Sequence, residues 1–248
     1  MYKFFVKTNQ IEYDKITISN DDVNHIKNVL RLGIGEKIEI SNLDTSESFE
    51  CEIMEFKNNS VVCKIEGEIE ELSEPSIDLH ILQGLPKADK MELIIQKSTE
   101  LGCKEFTPVA LNRCIVKLTG KDEAKKIERW QKISEVAAKQ SKRGIIPKVN
   151  GVIKLDKVIN LIKEYDIILV AFEEEKENTI KQELKKINKK EDLKIGILIG
   201  PEGGIEKKEI EALKNAGAKI VTLGNRILRT ETAPIVMASI IMYELDQM

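Results

Sequence analysis

Residues 194–234 constrain this chain more than any other stretch: KIGILIGPEGG, then EKKEIEALKNAGA, then KIVTLGNRILRTETAP. Two short apolar runs, 195–199 and 220–223, have the composition of strands buried on both faces of a parallel sheet. Each run empties into a glycine-containing loop that opens a helix. Open α/β sheets collect ligands in the crevice outside the carboxyl ends of their strands, so two adjacent strand ends carrying such loops predict a ligand cradle. A single strand–Gly–Pro–Gly–helix junction is more often a plain turn. Here, however, residues 224–233 pack Arg226, Arg229, Glu231, two threonines and the apolar pair Ile227-Leu228 into one connection, a mixture that structure alone does not require.

The glycines at these loops, Gly200, Gly203, Gly204 and Gly224, let backbone groups come close to a ligand. Their spacing departs from GxGxxG and no Walker lysine follows, which weakens nicotinamide and nucleoside-triphosphate readings. His25 and His80 both lie outside the loops, so an activated serine would have no base there. No apolar run approaches the roughly 20 residues of a membrane span. The start, MYKFFVKTNQIEYD, lacks the apolar core of a secretory signal, and the expectation is a cytoplasmic protein. Cys51, Cys63, Cys103 and Cys114 form no CxxC pair and have no histidine at ligand spacing, which predicts buried reduced thiols and no metal. A net charge of −3 excludes a protein that coats nucleic acid indiscriminately. Within residues 113–148, eleven Lys and Arg stand against four Asp and Glu, either a solvated helix face or a phosphate-facing patch.

Taken in order, residues 2–73 read as short strands interrupted by one helix over 20–30, capped by Ser19 or Asn20, with Gly33 beyond its end. His25 and Arg31 on it read as an exposed helix residue and a charge at the carbonyl end. An acidic linker, 66–75, closes this module, predicting domains at 1–72 and 73–248. Strands then alternate with helices. A strand at 77–85 precedes a helix over 87–102, and Pro108 puts the strand 104–111 at an edge or a bend. The helix 122–143 turns Ile127, Trp130, Ile133 and Ala137 inward, with Gly144 as its left-handed stop. That leaves Gln140, Ser141 and Arg143 in the last turn, able to project into a cleft. A buried strand at 166–172, a Lys/Glu-rich solvated helix over 178–190 and a helix over 206–216 follow. The last helix, 235–245, is apolar nearly all round, which predicts burial and a subunit contact.

Several strings together resemble the RsmE family of small-subunit (16S) ribosomal RNA methyltransferases, of the SPOUT class, which make N3-methyluridine. They are His25-x-x-x-Val29-Leu30-Arg31, Gln83-Gly84-Leu85-Pro86-Lys87 with Asp89-Lys90-Met91-Glu92, and Thr99-Glu100-Leu101-Gly102. Gln140-Ser141-x-Arg143 with Pro147, Ile199-Gly200-Pro201-Glu202-Gly203-Gly204 and Leu223-Gly224-x-Arg226-Ile227-Leu228-Arg229-x-Glu231-Thr232-Ala233 complete the set, which covers nearly the whole chain. The resemblance implies a PUA-like β-barrel, an α/β SPOUT methyltransferase domain with a C-terminal trefoil knot, a homodimer, and S-adenosylmethionine held by the knot loops with S-adenosylhomocysteine as product. Leu198, Ile199, Gly200, Pro201, Gly203, Gly204, Leu223, Gly224, Ile227, Leu228, Thr232 and Ala233 are the positions it implies for the cofactor. The partner would be ribosomal RNA within the assembled small subunit. The sequence departs from the family at Cys114, Val136 and Glu206, the last where a Ser or Thr would cap the next helix.

The chemistry this implies is methylation of uracil N3, which must lose its proton and spread the charge over the neighbouring carbonyl oxygens. A cation favours that ionised base, and Arg143 or Arg229 is the candidate, with Gln140 orienting the base. No general base stands out, and Glu231 is the candidate. Lys87, Arg113, His25 and Arg31 would grip phosphates. Two other readings stay open: ribose 2′-O methylation by a related SPOUT enzyme, and a non-catalytic RNA-binding protein with a vestigial cofactor fold.

Overall fold

A computed structural model describes residues 1–248 except 20, 71 and 188–191. Asn20, one of the two expected caps, and the end of the expected helix over 178–190 lie outside the described residues. The chain divides into two compact units, residues 1–74 with 138–146, and 75–137 with 147–248.

In the first unit, β1 (Lys3–Val6), β2 (Ile11–Glu12), β3 (Lys15–Ser19), β4 (Lys37–Asn42), β5 (Ser48–Phe56) and β6 (Ser60–Ile69) form one sheet in the order β1-β4-β5-β6-β3-β2. β1 runs parallel to β4 and the other pairs are antiparallel. Alternation sets the faces. In β3, Ile16 and Ile18 go inward while Lys15 and Thr17 face solvent, and Phe4, Ile38, Ile40, Ile53 and Val61 complete the core. Each such isoleucine contributes roughly 1.5–3 kcal/mol by leaving water. Burial pushes the Cys51 and Cys63 thiols up to about 12, so both stay protonated as core packing. A short α1 (Asp21–Asn24) continues into a π-helical turn (His25–Val29) that buries Ile26 and stands His25 edge-on to the Phe4 ring.

The segment 138–146 corrects one expectation. The helix α3 (Gly120–Gln140) is stopped by Lys142, at φ 58°, rather than by Gly144. The N–H of Lys142 returns to the Lys139 carbonyl (3.3 Å) and that of Arg143 to the Ala138 carbonyl (2.9 Å), which satisfies the helix end two residues before the glycine. Arg143 therefore lies past the last turn and is 2 % exposed. Its Nε and Nη2 donate to the two oxygens of Glu74 at 3.1 and 2.6 Å, and Glu74 Oε1 also accepts from the Gly144 N–H at 2.9 Å. Instead of projecting into a cleft, the guanidinium is held in a bidentate ion pair.

The second unit is built on a parallel sheet of β7 (Asp78–Gly84), β8 (Glu105–Ala110), β9 (Lys148–Val149), β10 (Ile153–Lys154), β11 (Ile167–Ala171), β12 (Lys194–Ile199) and β13 (Lys219–Val221). The order is β10-β8-β7-β12-β11-β13, with β9 also on β8. Pro108 is not on an edge strand: β8 is paired on both sides. β9 pairs Glu105 and Phe106, β10 pairs Val109 and Ala110, and Pro108 falls in the gap where no N–H is asked for. β12 and β13 are not neighbours either, because β11 lies between them. His80 is a core histidine. It sits between the Tyr165 hydroxyl and Thr107 Oγ1 (2.8 Å), and burial takes its pKa down to about 4.

Of the helices α2 (Lys90–Glu100), α4 (Leu155–Leu161), α5 (Ile180–Leu184), α6 (Lys207–Asn215) and α7 (Thr232–Glu244), α7 packs on α2, α5, β7 and β12. It buries Ala233, Met237, Ala238, Ile241 and Met242, while Ile235, Val236 and Ile240 are half-buried and Tyr243 is exposed. The expected all-round burial thus holds for one face only. α5 is shorter than the solvated helix expected there and buries Ile180, Glu183 and Leu184. Its start is fixed by a capping box, Thr179 N–H to Gln182 Oε1 (2.7 Å) and Gln182 N–H to Thr179 Oγ1 (3.3 Å).

Removing the Glu74 carboxylate takes the bidentate partner away from a buried guanidinium. Glu74→Ala should lower the stability of the chain in urea unfolding by on the order of 3 kcal/mol, with Glu74→Met/Arg143→Met closer to wild type. An unchanged Glu74→Ala midpoint would remove the structural role given to this pair.

Candidate active site

A cavity of about 550 Å³ opens at the carboxyl ends of β11, β12 and β13. Ala171 at the end of β11 and Phe172, Glu173 and Lys176 after it, Ile199 at the end of β12 and residues 200–205 after it, and residues 222–230 after β13 line it, with Lys90 and Ala233. The chain reverses strand order at β11, placing β12 on one side and β13 on the other, and such switch points leave a crevice.

The two loops are tied together beneath the cavity by one fully buried side chain. Gln83, in β7, donates through Nε2 to the Gly84 carbonyl (2.9 Å), to Thr230 Oγ1 (3.0 Å) and at longer range to the Gly200 carbonyl (3.4 Å). Thr230 Oγ1 in turn donates to the Gly200 carbonyl at 2.7 Å. Strand β7, the first loop and the second loop therefore share one hydrogen-bonded knot of polar atoms out of water, where breaking a member is costly. Gly84 is required beside it: a Cβ there would lie 2.7 Å from both Cδ and the backbone nitrogen of Pro201. Gly224 is required for another reason. It has φ +96°, and a Cβ on it would meet nothing within 4 Å, although the residue lines the cavity.

Of the sequence candidates, Ile199, Gly200, Pro201, Gly203, Gly204, Leu223, Gly224, Ile227, Leu228, Ala233 and Arg229 line the cavity, and Leu198 and Thr232 do not. Ile227 is 88 % exposed, an apolar side chain offered to whatever enters. Arg229 has an exposed guanidinium, 3.9 Å from Glu231. Glu231 is not in the lining; its Oε2 is 3.3 Å from the Lys90 ammonium. Lys90 also donates to Glu202 Oε1 at 2.8 Å, a hydrogen bond that raises the lysine pKa. For Glu202, burial alone would push the carboxyl up, but the hydrogen bonds from Lys90 and from backbone N–H groups outweigh it and its pKa is lowered. Gln140 and Arg143 are not in the lining: Gln140 is exposed at the end of α3, and Arg143 is paired with Glu74.

The expected phosphate contacts fall in different settings. His25 and Arg31 belong to the first unit. Lys87 is exposed and its N–H donates to Glu202 Oε1 (3.0 Å), while Arg113 donates to the Gly203 carbonyl (2.9 Å) and so braces the first loop. The substitution at Glu206 is compensated from inside the helix. Glu209 Oε2 accepts the Glu206 N–H (3.0 Å) and Oε1 accepts the Asn112 N–H (3.0 Å). Val136 is exposed and Cys114 is buried. The sequence reading missed Phe172, Glu173, Lys90 and Thr230. Phe172 ends, and Glu173 follows, the buried strand expected at 166–172, which was not placed between the other two.

Residues 73–242 match the family described as an RNA methyltransferase domain, and residues 18–66 the family described as an RNA methyltransferase PUA domain. The chain is similar to the ribosomal RNA small subunit methyltransferase E of Bacillus subtilis (strain 168), 35 % identical over 99 % of this chain and 98 % of the relative. It is likewise similar to that of Mesomycoplasma hyopneumoniae (strain 232), 33 % identical over 95 % and 96 %. Among solved structures it resembles a ribosomal RNA small subunit methyltransferase E from Neisseria gonorrhoeae bound to S-adenosyl methionine, with a TM-score of 0.85, 28 % identity and coverage of 98 % and 97 %.

Thr230→Val removes both hydrogen bonds of the hydroxyl that joins the loops. Backbone amide exchange in residues 200–206 and in 223–231 should rise together, by about tenfold. A rise confined to 223–231 would show that the tie does not couple them.

Proposed function

Because the chain belongs to the family of ribosomal RNA small subunit methyltransferase E, we propose that it transfers a methyl group from S-adenosylmethionine to N3 of a uridine in small-subunit ribosomal RNA. The observation that carries this reading is the cavity itself, formed by the two glycine loops around β11 and sized within the roughly 300–1,000 Å³ of small-molecule sites. Its residues suit the donor: the open space over Gly224, the exposed Ile227 and the apolar Leu223 and Leu228 fit a nucleoside face, and backbone groups of 199–204 fit its polar edges. When bound, S-adenosylmethionine supplies an electrophilic methyl group.

The chain's own residues prepare the acceptor. Uracil N3 gives up its proton to solvent water, the negative charge spreads to the flanking carbonyl oxygens, where a cation lowers the barrier, and N3 then takes the methyl group, with S-adenosylhomocysteine as the other product. Arg229 is that cation in this reading, since it lines the cavity with an exposed guanidinium while Arg143 is committed to Glu74. Gln140, exposed at the end of α3, is not in the cavity lining and is given no role at the base. Glu231 has an ion-pair partner in Lys90 and is given no role as base.

The same reading makes residues 1–72 the RNA-binding domain and 73–248 the methyltransferase domain, with the C-terminal chain in a trefoil knot. His25, Arg31, Lys87 and Arg113 contact phosphates, and the half-buried Ile235, Val236 and Ile240 with Tyr243 supply a homodimer face. Among the described residues no helix is long and apolar enough to cross a membrane, and a ribosomal substrate puts the work in the cytoplasm, on assembled small subunits.

Purified protein given S-adenosylmethionine and either naked ribosomal RNA or small subunits, followed by nucleoside mass analysis, tests this. The expected product is 3-methyluridine, made on subunits, with Arg229→Ala slower by about a hundredfold. A ribose-methylated nucleoside would favour 2′-O chemistry, and failure to bind the donor in calorimetry would favour a vestigial RNA-binding protein.

A further inference from the structure

Lys90 is the first residue of α2, where the helix's partial positive charge makes a cation the wrong sign. Nothing in helix formation asks for a lysine at this position. Its ammonium is instead engaged by two carboxylates that belong to different ligand loops. Glu202 Oε1, on the loop after β12, is 2.8 Å away, and Glu231 Oε2, at the end of the loop after β13, is 3.3 Å away. The backbone leading into α2 is shaped for the same contact. Ala88 takes a left-handed φ of 54°, and the N–H of Lys87 reaches Glu202 Oε1 at 3.0 Å, so residues 87–90 wrap around that carboxylate. Glu231 Oε2 is buried without a hydrogen-bond partner, and of the two cations beside this carboxylate Lys90 is the nearer, at 3.3 Å against 3.9 Å for Arg229.

We infer that Lys90 is a latch that holds the two ligand loops at their binding distance, so that it governs affinity for the methyl donor and not the methyl-transfer step. Without the ammonium, two carboxylates face each other across the loops and repel. The loops then separate, and a ligand must bring them together at the expense of its own affinity. Lys90 is a positioning residue, and this role rests on the reading of the cavity as the S-adenosylmethionine site. It is distinct from the tie at Gln83 and Thr230, which is fully buried and neutral.

The test is calorimetric titration of S-adenosylmethionine into the full chain as wild type, Lys90→Arg, Lys90→Met and Lys90→Met/Glu231→Gln, with steady-state methylation of small subunits alongside. Lys90→Met should raise Kd and the KM for S-adenosylmethionine by about tenfold, with kcat within about twofold of wild type. Lys90→Arg should stay within about twofold of wild-type affinity, and Lys90→Met/Glu231→Gln should recover part of the loss because the repulsion is relieved. Wild-type affinity in Lys90→Met would overturn the latch. So would a raised KM for RNA with no change for the donor, because Lys90 would then be a phosphate contact. A wild-type chain that binds no S-adenosylmethionine would instead sink the reading of the cavity, and the latch with it.

Discussion

The amide of Gln83 has no water to turn to. It is fully buried at the carboxyl end of β7, and its hydrogens are spent on Gly84 and on Thr230, whose hydroxyl passes the connection on to Gly200. A buried polar group of this kind stabilises only when its partners are in place, so it fixes where both loops must sit. Gly84 adds a steric condition, since any side chain there would displace Pro201. The cavity opens between the two loops that these contacts join.

The parallel sheet supplies the other condition. Strands buried on both faces read as continuous apolar runs, and their order, with β12 and β13 on opposite sides of β11, opens a crevice that neither neighbour fills. The three loops leaving these strands bring together chemically different surfaces: apolar Leu223, Ile227 and Leu228, the glycine-rich backbone of 199–204, and the charged groups Arg229, Glu173 and Lys176. That combination suits a nucleoside carrying a charged tail better than a purely apolar or purely ionic ligand.

Much of this was legible in the sequence where the signal is local. The strand expected at 166–172 falls on β11 and the run 195–199 on β12, because continuous apolar runs between turn residues leave little choice. The glycine loops after 199 and 223 were found the same way. What the sequence hid depends on contacts between distant positions. Arg143 looked like a residue of a helix end, and only Glu74, 69 positions away, turns it into a buried structural charge. Lys90 stood in one of the family strings with no role attached, and its partner Glu202 lies 112 positions on. The neighbourhood of β12 and β13 was misjudged because strand order is set by packing of the whole sheet and leaves no mark on either strand. The left-handed stop at Lys142 was missed because glycine is the usual occupant and Gly144 stood two residues further on.

The account comes down to whether the two loops act as one ligand site. Hydrogen–deuterium exchange of the full chain with and without S-adenosylmethionine measures this directly. Added S-adenosylmethionine should protect residues 199–204 and 222–230 together, with no change in the strands of the first unit. Protection of one loop without the other, or of neither, would contradict it.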